Sequence, residues 1–290
     1  MFTDSGGELR IGKPYAALLR AHQLTTYTVS AIHREFSLTD TSLQHTYAVD
    51  ERVPVWLLVV LAVIVPIAIQ AALSLVVARS FWDFHASLLG LVLSHAITVT
   101  ATTMIKVAVG RPRPDVIDRC QPRAGATDSP VYGLVTDAIC TNPLDGRLIT
   151  DGFRSFPSGH ASTSFAGLTF LSLYFAGKFH LYGRKGHAAT SWLVFIPMLG
   201  ATLIAVSRTM DYRHHATDVI AGGILGTVVA VATYFLYYPP LSDPRCHKPW
   251  SPRIPASSSQ KKPGSRQELG EGSAACGEDL EDRPANGASI

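Results

Sequence analysis

Residues 53–78 read VPVWLLVVLAVIVPIAIQAALSLVVA, without one charged side chain. A helix of about 20 apolar residues spans the hydrocarbon of a bilayer, where backbone polar groups must be paired within the segment because no water reaches them. Four further apolar stretches follow at 86–109, 161–176, 189–206 and 216–238, the third of them short and extending back through Ser158. Charged residues make up only 16% of the chain, against about 25% in soluble domains. The expectation is an all-α, multi-span transmembrane helical bundle with five clear spans. A weaker N-terminal stretch at 14–32, interrupted by Arg20 and His22, reads as an interfacial helix or a poorly formed sixth span.

Three regions follow from this pattern. Residues 1–52 precede the clear spans and show no secretory signal, lacking a compact apolar core followed by small residues. Residues 53–239 hold the spans. Residues 240–290 are rich in Pro, Ser, Gly, Lys and Glu with few large apolar side chains, and are expected to form a disordered tail. The net charge of +3, with no interleaved run of basic and aromatic residues, argues against nucleic acid as a partner.

Ionisable residues gather where the apolar stretches end. Consecutive spans cross in alternating directions, so Lys106 and Arg113 at the end of the second, His160 at the start of the third, Ser207 and Arg208 at the end of the fourth, and His214 and Asp218 at the start of the fifth all fall on one face. Intramembrane or juxtamembrane charge of this kind is costly and points to function. The opposite side holds Lys178, Arg184 and Lys185 in one loop and Arg245, Lys248 and Arg253 in the tail, which makes it the cytoplasmic side by the positive-inside tendency. The site-bearing loop carries six Arg of its own, so the count alone leaves the orientation open. Cys120 and Cys140 share that loop and would pair in an oxidising compartment or remain free thiols. Cys246, on the other side near a membrane end, is a candidate for acylation.

Lys106, Arg113 and Arg208 suit a multiply charged anion, the arginines through their planar forks, although any one of them alone reads as a snorkelling anchor. Pro157-Ser158-Gly159-His160 opens a helix, so the backbone N–H groups of Ser158, Gly159 and His160 are placed to face an anion, with Ser158 also suited to cap the helix. His214 and Asp218, four apart, share a helix face. A carboxylate there would hold one imidazole nitrogen and leave the other as nucleophile, with His160 as general acid for the departing oxygen. The chemistry expected is displacement at phosphorus through a phosphohistidine, without a cofactor. A divalent metal on His160, His214, His215 and Asp218 is the minority reading, since three cations beside a metal repel it. A serine nucleophile at Ser158 lacks the G-x-S-x-G elbow. His215 is expected at an interface, and His85 and His95 as packed or interfacial.

Lys106-x6-Arg113-Pro114, Pro157-Ser158-Gly159-His160 and Ser207-Arg208-x5-His214-x3-Asp218 resemble the three signature blocks of the type 2 phosphatidic acid phosphatase superfamily. The stretches Arg34-Glu35-Phe36-Ser37-Leu38, Glu51-Arg52-Val53-Pro54 and Gly110-Arg111-Pro112-Arg113-Pro114-Asp115 are similar to its fungal and plant lipid phosphate phosphatases. The resemblance implies a six-span membrane enzyme hydrolysing phosphatidate, lysophosphatidate or diacylglycerol pyrophosphate without a metal, its active site lumenal or extracellular. It implies His214 as nucleophile, His160 as acid, Asp218 as orienting partner, and Lys106, Arg113, Ser158, Gly159 and Arg208 as phosphate contacts. The expected partners are lipid phosphates of the surrounding membrane. Another phosphorylated substrate (a polyprenyl pyrophosphate, sphingoid base phosphate or sugar phosphate) or a non-catalytic anionic-lipid binder are the alternatives. The family places an apolar span ahead of Phe36-Ser37-Leu38, where this chain has only the weak stretch at 14–32.

Overall fold

The computed structural model describes residues 32–144, 146–181 and 188–251; of 188–190 it describes only the backbone. The stretch at 14–31 and the tail beyond Ser251 lie outside the described residues. Helix α1 runs Val55–Val77, α2 Phe81–Val109, α3 Val116–Cys120, α4 Arg147–Gly152, α5 Gly159–Lys178, α6 Ala188–Met210 and α7 Ala216–Tyr237. By length and composition, α1, α2, α6 (over Ser191–Met210) and α7 can each cross a membrane.

Helix α5 is long enough to span but is not among those four. Its sequence, GHASTSFAGLTFLSLYFAGK, is diluted by Ser, Thr and Gly. The structure explains the composition: α5 is the hub, packed most extensively against α7 and α6 and also against α2 and α1, with fourteen of its twenty residues buried. A helix surrounded by other helices gains from close backbone approach rather than lipid-facing bulk, so small residues suit it. The seam with α7 demands them on both sides. A Cβ on Gly222 would sit 2.5 Å from the Ser158 carbonyl oxygen, and one on Gly226 2.2 Å from that of Ser162. These glycines bring the start of α7 against the start of α5, where the histidines lie.

Two apolar clusters organise the rest. The larger joins Leu58, Leu91, Phe170, Leu171, Tyr174, Ile204, Tyr234 and Tyr238 within the bundle. The smaller lies in the segments that cap one end: Phe36, Leu43, Val116, Cys120, Val135, Cys140, Ile149 and Phe153. The loop between α2 and α5 is thus a packed cap, stapled by a Cys120–Cys140 disulfide and by antiparallel bridges Phe36–Val135 and Pro122–Cys140.

At the opposite end the chain does not leave the bundle at Pro239, as its composition suggests. Residues 240–251 turn back under it: Trp250 N–H donates to the Tyr237 carbonyl at 2.9 Å, and the His247 carbonyl accepts from Lys178 Nζ at 2.6 Å. Cys246 is buried, its Sγ 3.5 Å from the Gly177 carbonyl oxygen. Its burial overturns the acylation reading and pushes its thiol pKa up.

Candidate active site

The three sequence blocks meet at the capped end. Gly159 begins α5 after Ser158, whose Oγ accepts the Ala161 N–H at 3.4 Å as N-cap. The Ser158 N–H is already taken: it donates to the Asp218 carbonyl at 2.9 Å, tying the start of α5 to the first turn of α7. Of the three backbone donors expected to face an anion, those of Gly159 and His160 remain. Lys106, in the last turn of α2, lies over Gly159, with Nζ 3.8 Å from where a Cβ would stand. It donates to the Arg154 carbonyl at 3.2 Å.

His214 is buried in the turn between α6 and α7. Its Nδ1 donates to the Ser155 carbonyl at 2.7 Å, which fixes the tautomer and leaves Nε2 with a free lone pair. The spacing predicts Asp218 as the partner in this hydrogen bond, but its Oδ2 is 3.9 Å from Nδ1, an ion-pair distance rather than a hydrogen bond. The carboxylate is committed elsewhere. Ser155 Oγ donates to Oδ2 at 2.5 Å, Arg111 to Oδ1 at 2.6 Å, and the His215 N–H to Oδ2 at 3.1 Å. Asp218 therefore reaches His214 through Ser155, whose hydroxyl it holds and whose carbonyl holds His214. His215 caps α7 in a reciprocal box with Asp218.

Burial, then the charge of Arg113, hold His214 well below the ordinary histidine value, so it stays neutral at pH 7. His160, in the first turn of α5, directs Nε2 to the Val53 carbonyl at 3.0 Å, just ahead of α1.

The arginines are buried and paired. Arg113 donates through Nε and one terminal nitrogen to the carbonyl and carboxylate of Asp151, at 2.8 and 2.7 Å, and through the other to the Arg213 carbonyl at 3.2 Å. Burial lowers its pKa, with Asp151 opposing. Burial alone would raise Asp151, yet Arg113, Arg119 and Lys106 outweigh it and keep that carboxyl well below its usual range. Arg208 donates to Ser207 Oγ, to Glu51 at 2.8 Å and to Asp211 at 2.7 Å. A guanidinium has five N–H donors. Among the described residues, Arg113 and Arg208 each use three of these and the Lys106 ammonium one of its three, which leaves donors on all three cations for an anion.

The expected residues are thus assembled, among partners that the sequence pattern does not reveal: Ser155, Arg111, Glu51, Asp151, Asp211 and Arg213. One signal does point to the acids. Buried cations need carboxylates, and Glu51, Asp151 and Asp211 each lie within a few residues of a span end or a signature block. Beside Arg111 and His215, a cavity of about 250 Å³ opens against Arg34, Phe36 and Asp40. Among the described residues, no group of three or more His, Cys, Asp or Glu side chains is placed to hold a metal ion.

The model of the PAP2 superfamily matches residues 87–240. Lipid phosphate phosphatase 2 of Arabidopsis thaliana is 40% identical over 195 residues, covering 67% of this chain and 65% of that protein. Diacylglycerol pyrophosphate phosphatase 1 of Saccharomyces cerevisiae is 40% identical over 227 residues, 77% of each chain. Probable diacylglycerol pyrophosphate phosphatase 1 of Schizosaccharomyces pombe is 38% identical over 213 residues, 72% of this chain and 73% of that one. The match to the Arabidopsis protein thus spans slightly less than two thirds of its length. No solved structure matches. A family match across four of the five long helices and all three blocks, with relatives near 40% identity over most of this chain, means that the protein belongs to the PAP2 superfamily.

Proposed function

We propose that the protein is an integral membrane lipid phosphate phosphatase that hydrolyses phosphatidate, lysophosphatidate or diacylglycerol pyrophosphate through a phosphohistidine, without a metal ion. The observation that carries this reading is His214: neutral, with Nδ1 held by the Ser155 carbonyl and Nε2 free beside a set of buried cations. The names of the plant and yeast relatives support the substrate class.

In the first step the Nε2 lone pair of His214 attacks phosphorus, and the bond from phosphorus to the lipid oxygen breaks. His160 gives its proton to that departing oxygen. Lys106, Arg113, Arg208 and the backbone N–H groups of Gly159 and His160 bind the three phosphoryl oxygens as charge redistributes over them. Water then attacks the phosphohistidine. His160 takes the water's proton, the P–N bond breaks, and orthophosphate leaves with His214 restored. Ser158 contributes by capping α5 and joining it to α7, its hydroxyl hydrogen still available to a phosphate oxygen.

The Cys120–Cys140 disulfide in the cap supports a lumenal or extracellular active-site face, since such bonds persist in oxidising compartments. The test is phosphate release by detergent-solubilised protein from phosphatidate, lysophosphatidate, diacylglycerol pyrophosphate, sphingosine phosphate and glucose 6-phosphate, each in EDTA. Turnover of the first three in chelator is expected, with His214→Ala reducing it by at least about 10³-fold. Activity abolished by EDTA would exclude the metal-free mechanism, and undiminished turnover by the variant would exclude the nucleophile.

A further inference from the structure

Arg208 and Arg213 share a carboxylate from outside all three signature blocks. Glu51 Oε2 lies 2.8 Å from Arg208 and Oε1 2.9 Å from Arg213. Both guanidinium groups are buried, at 1% and 6% side-chain exposure, whereas Glu51 keeps 24%. Its neighbours in the strap 48–53 are engaged with the same site. The Ala48 carbonyl accepts from Arg213 at 3.0 Å, the Arg52 N–H donates to Asp211 at 3.0 Å, and the Val53 carbonyl accepts from His160. Glu51 thus gives Arg208 the ligand type that a phosphate oxygen would offer, at the watered edge of an otherwise buried pair.

Resting on the phosphatase reading above, we propose that Glu51 is a positioning residue that serves as the internal counter-anion of the phosphate site, holding Arg208 and Arg213 while its charge prevents over-tight retention of orthophosphate. Asp211 still grips Arg208 when Glu51 is neutralised, so the guanidinium stays near its place while the site gains one unit of positive charge. A unit charge several ångströms from a bound anion, in partly buried surroundings, changes affinity by roughly tenfold. Tighter product binding slows release, so kcat and KM fall together. A purely structural role predicts the opposite sign, because loosened arginines bind phosphate less well.

The experiment measures binding of radiolabelled orthophosphate, and separately of orthovanadate, to the full-length protein in detergent, which needs no turnover. Inhibition constants and thermal stability are measured alongside. Glu51→Gln is expected to bind both anions about tenfold more tightly, with kcat and KM both reduced. Glu51→Gln/Arg213→Gln, which restores the net charge, returns affinity to within about threefold of wild type. Unchanged or weaker binding by folded Glu51→Gln overturns the proposal, as does wild-type protein that binds neither anion. Where Glu51→Gln does not fold, Glu51→Asp decides: it keeps the charge with a shorter reach, and Asp211 still holds Arg208, so anion binding within about threefold of wild type is expected, and a change of about tenfold in either direction overturns the proposal. Failure of every lipid phosphate as a wild-type substrate, with tighter anion binding by Glu51→Gln, would sink the phosphatase reading and leave the role of Glu51 standing.

Discussion

Both ends of this helical bundle bury charge, and they do so to different ends. Opposite the histidines, Asp83 in the first turn of α2 accepts from Ser74 at 2.8 Å, Tyr174 at 3.1 Å, Lys178 at 2.6 Å and Tyr238 at 2.9 Å. Four donors from α1, α5 and the end of α7 saturate one carboxylate, and the Lys178 ammonium lies 5.0 Å from the Tyr174 ring centroid. At the capped end, among the described residues, Lys106, Arg113 and Arg208 are only partly matched and His214 Nε2 is left free. A closed network serves as a lock, whereas one with donors and a lone pair to spare can accept a ligand.

The contrast can be broken from either side. His160→Ala should lower turnover by about 10²- to 10⁴-fold, the usual contribution of a general acid, with a melting temperature within a few degrees of wild type. Comparable loss of activity and stability would mean that His160 matters chiefly through its bond to Val53. Asp83→Ala should do the reverse. Removing one partner of a buried ion pair costs about 3–5 kcal/mol, read as a large fall in melting temperature, while the folded fraction keeps kcat within about threefold. A selective loss of kcat there would show that the lock is coupled to the site.

Opening the Cys120–Cys140 bridge, which joins residues 20 apart, should cost about 3 kcal/mol through loop entropy. Cys120→Ser/Cys140→Ser protein should therefore melt lower, and its cap should be cleaved by protease before the bundle. Equal protease resistance would mean that the apolar cluster around Phe153 suffices by itself. The smallest effect is that of pH. His214 is held below its unfolded value of 6.5, so the unfolded chain binds the proton first. Its contribution is fully present above pH 6.5 and is lost as pH falls below it, by up to about 1.4 kcal/mol per unit. Melting curves between pH 5 and 8 should show this slope in wild type and a shallower one in His214→Asn; parallel slopes would remove His214 as its source.

Much of the capped end is legible in the amino-acid sequence. Alternation of crossings brings Lys106, Arg113, His160, Arg208, His214 and Asp218 to one face, because apolar helices of span length leave little freedom in where their ends lie. The partners of these groups are not legible there. Glu51 and Arg208 are 157 residues apart, and Ser155 reaches His214 through a backbone carbonyl, which no side-chain pattern reveals. The lock is hidden for a related reason. Asp83, Lys178 and Tyr238 each look like an ordinary terminal polar residue, and Lys178 like one more cytoplasmic charge, until the bundle closes around them.

Sequence alone thus determined that the chain is a membrane helix bundle and that its cation-bearing and histidine blocks share one of its faces, since hydrophobic length and span parity are local, countable properties. Tertiary structure decided what each group is bonded to. It moved the grip on His214 from Asp218 to the Ser155 carbonyl, withdrew the Ser158 N–H from the anion, and set Glu51 between two arginines. Such choices depend on ångström-scale distances between residues far apart in the chain, which only helix packing and the folded cap establish.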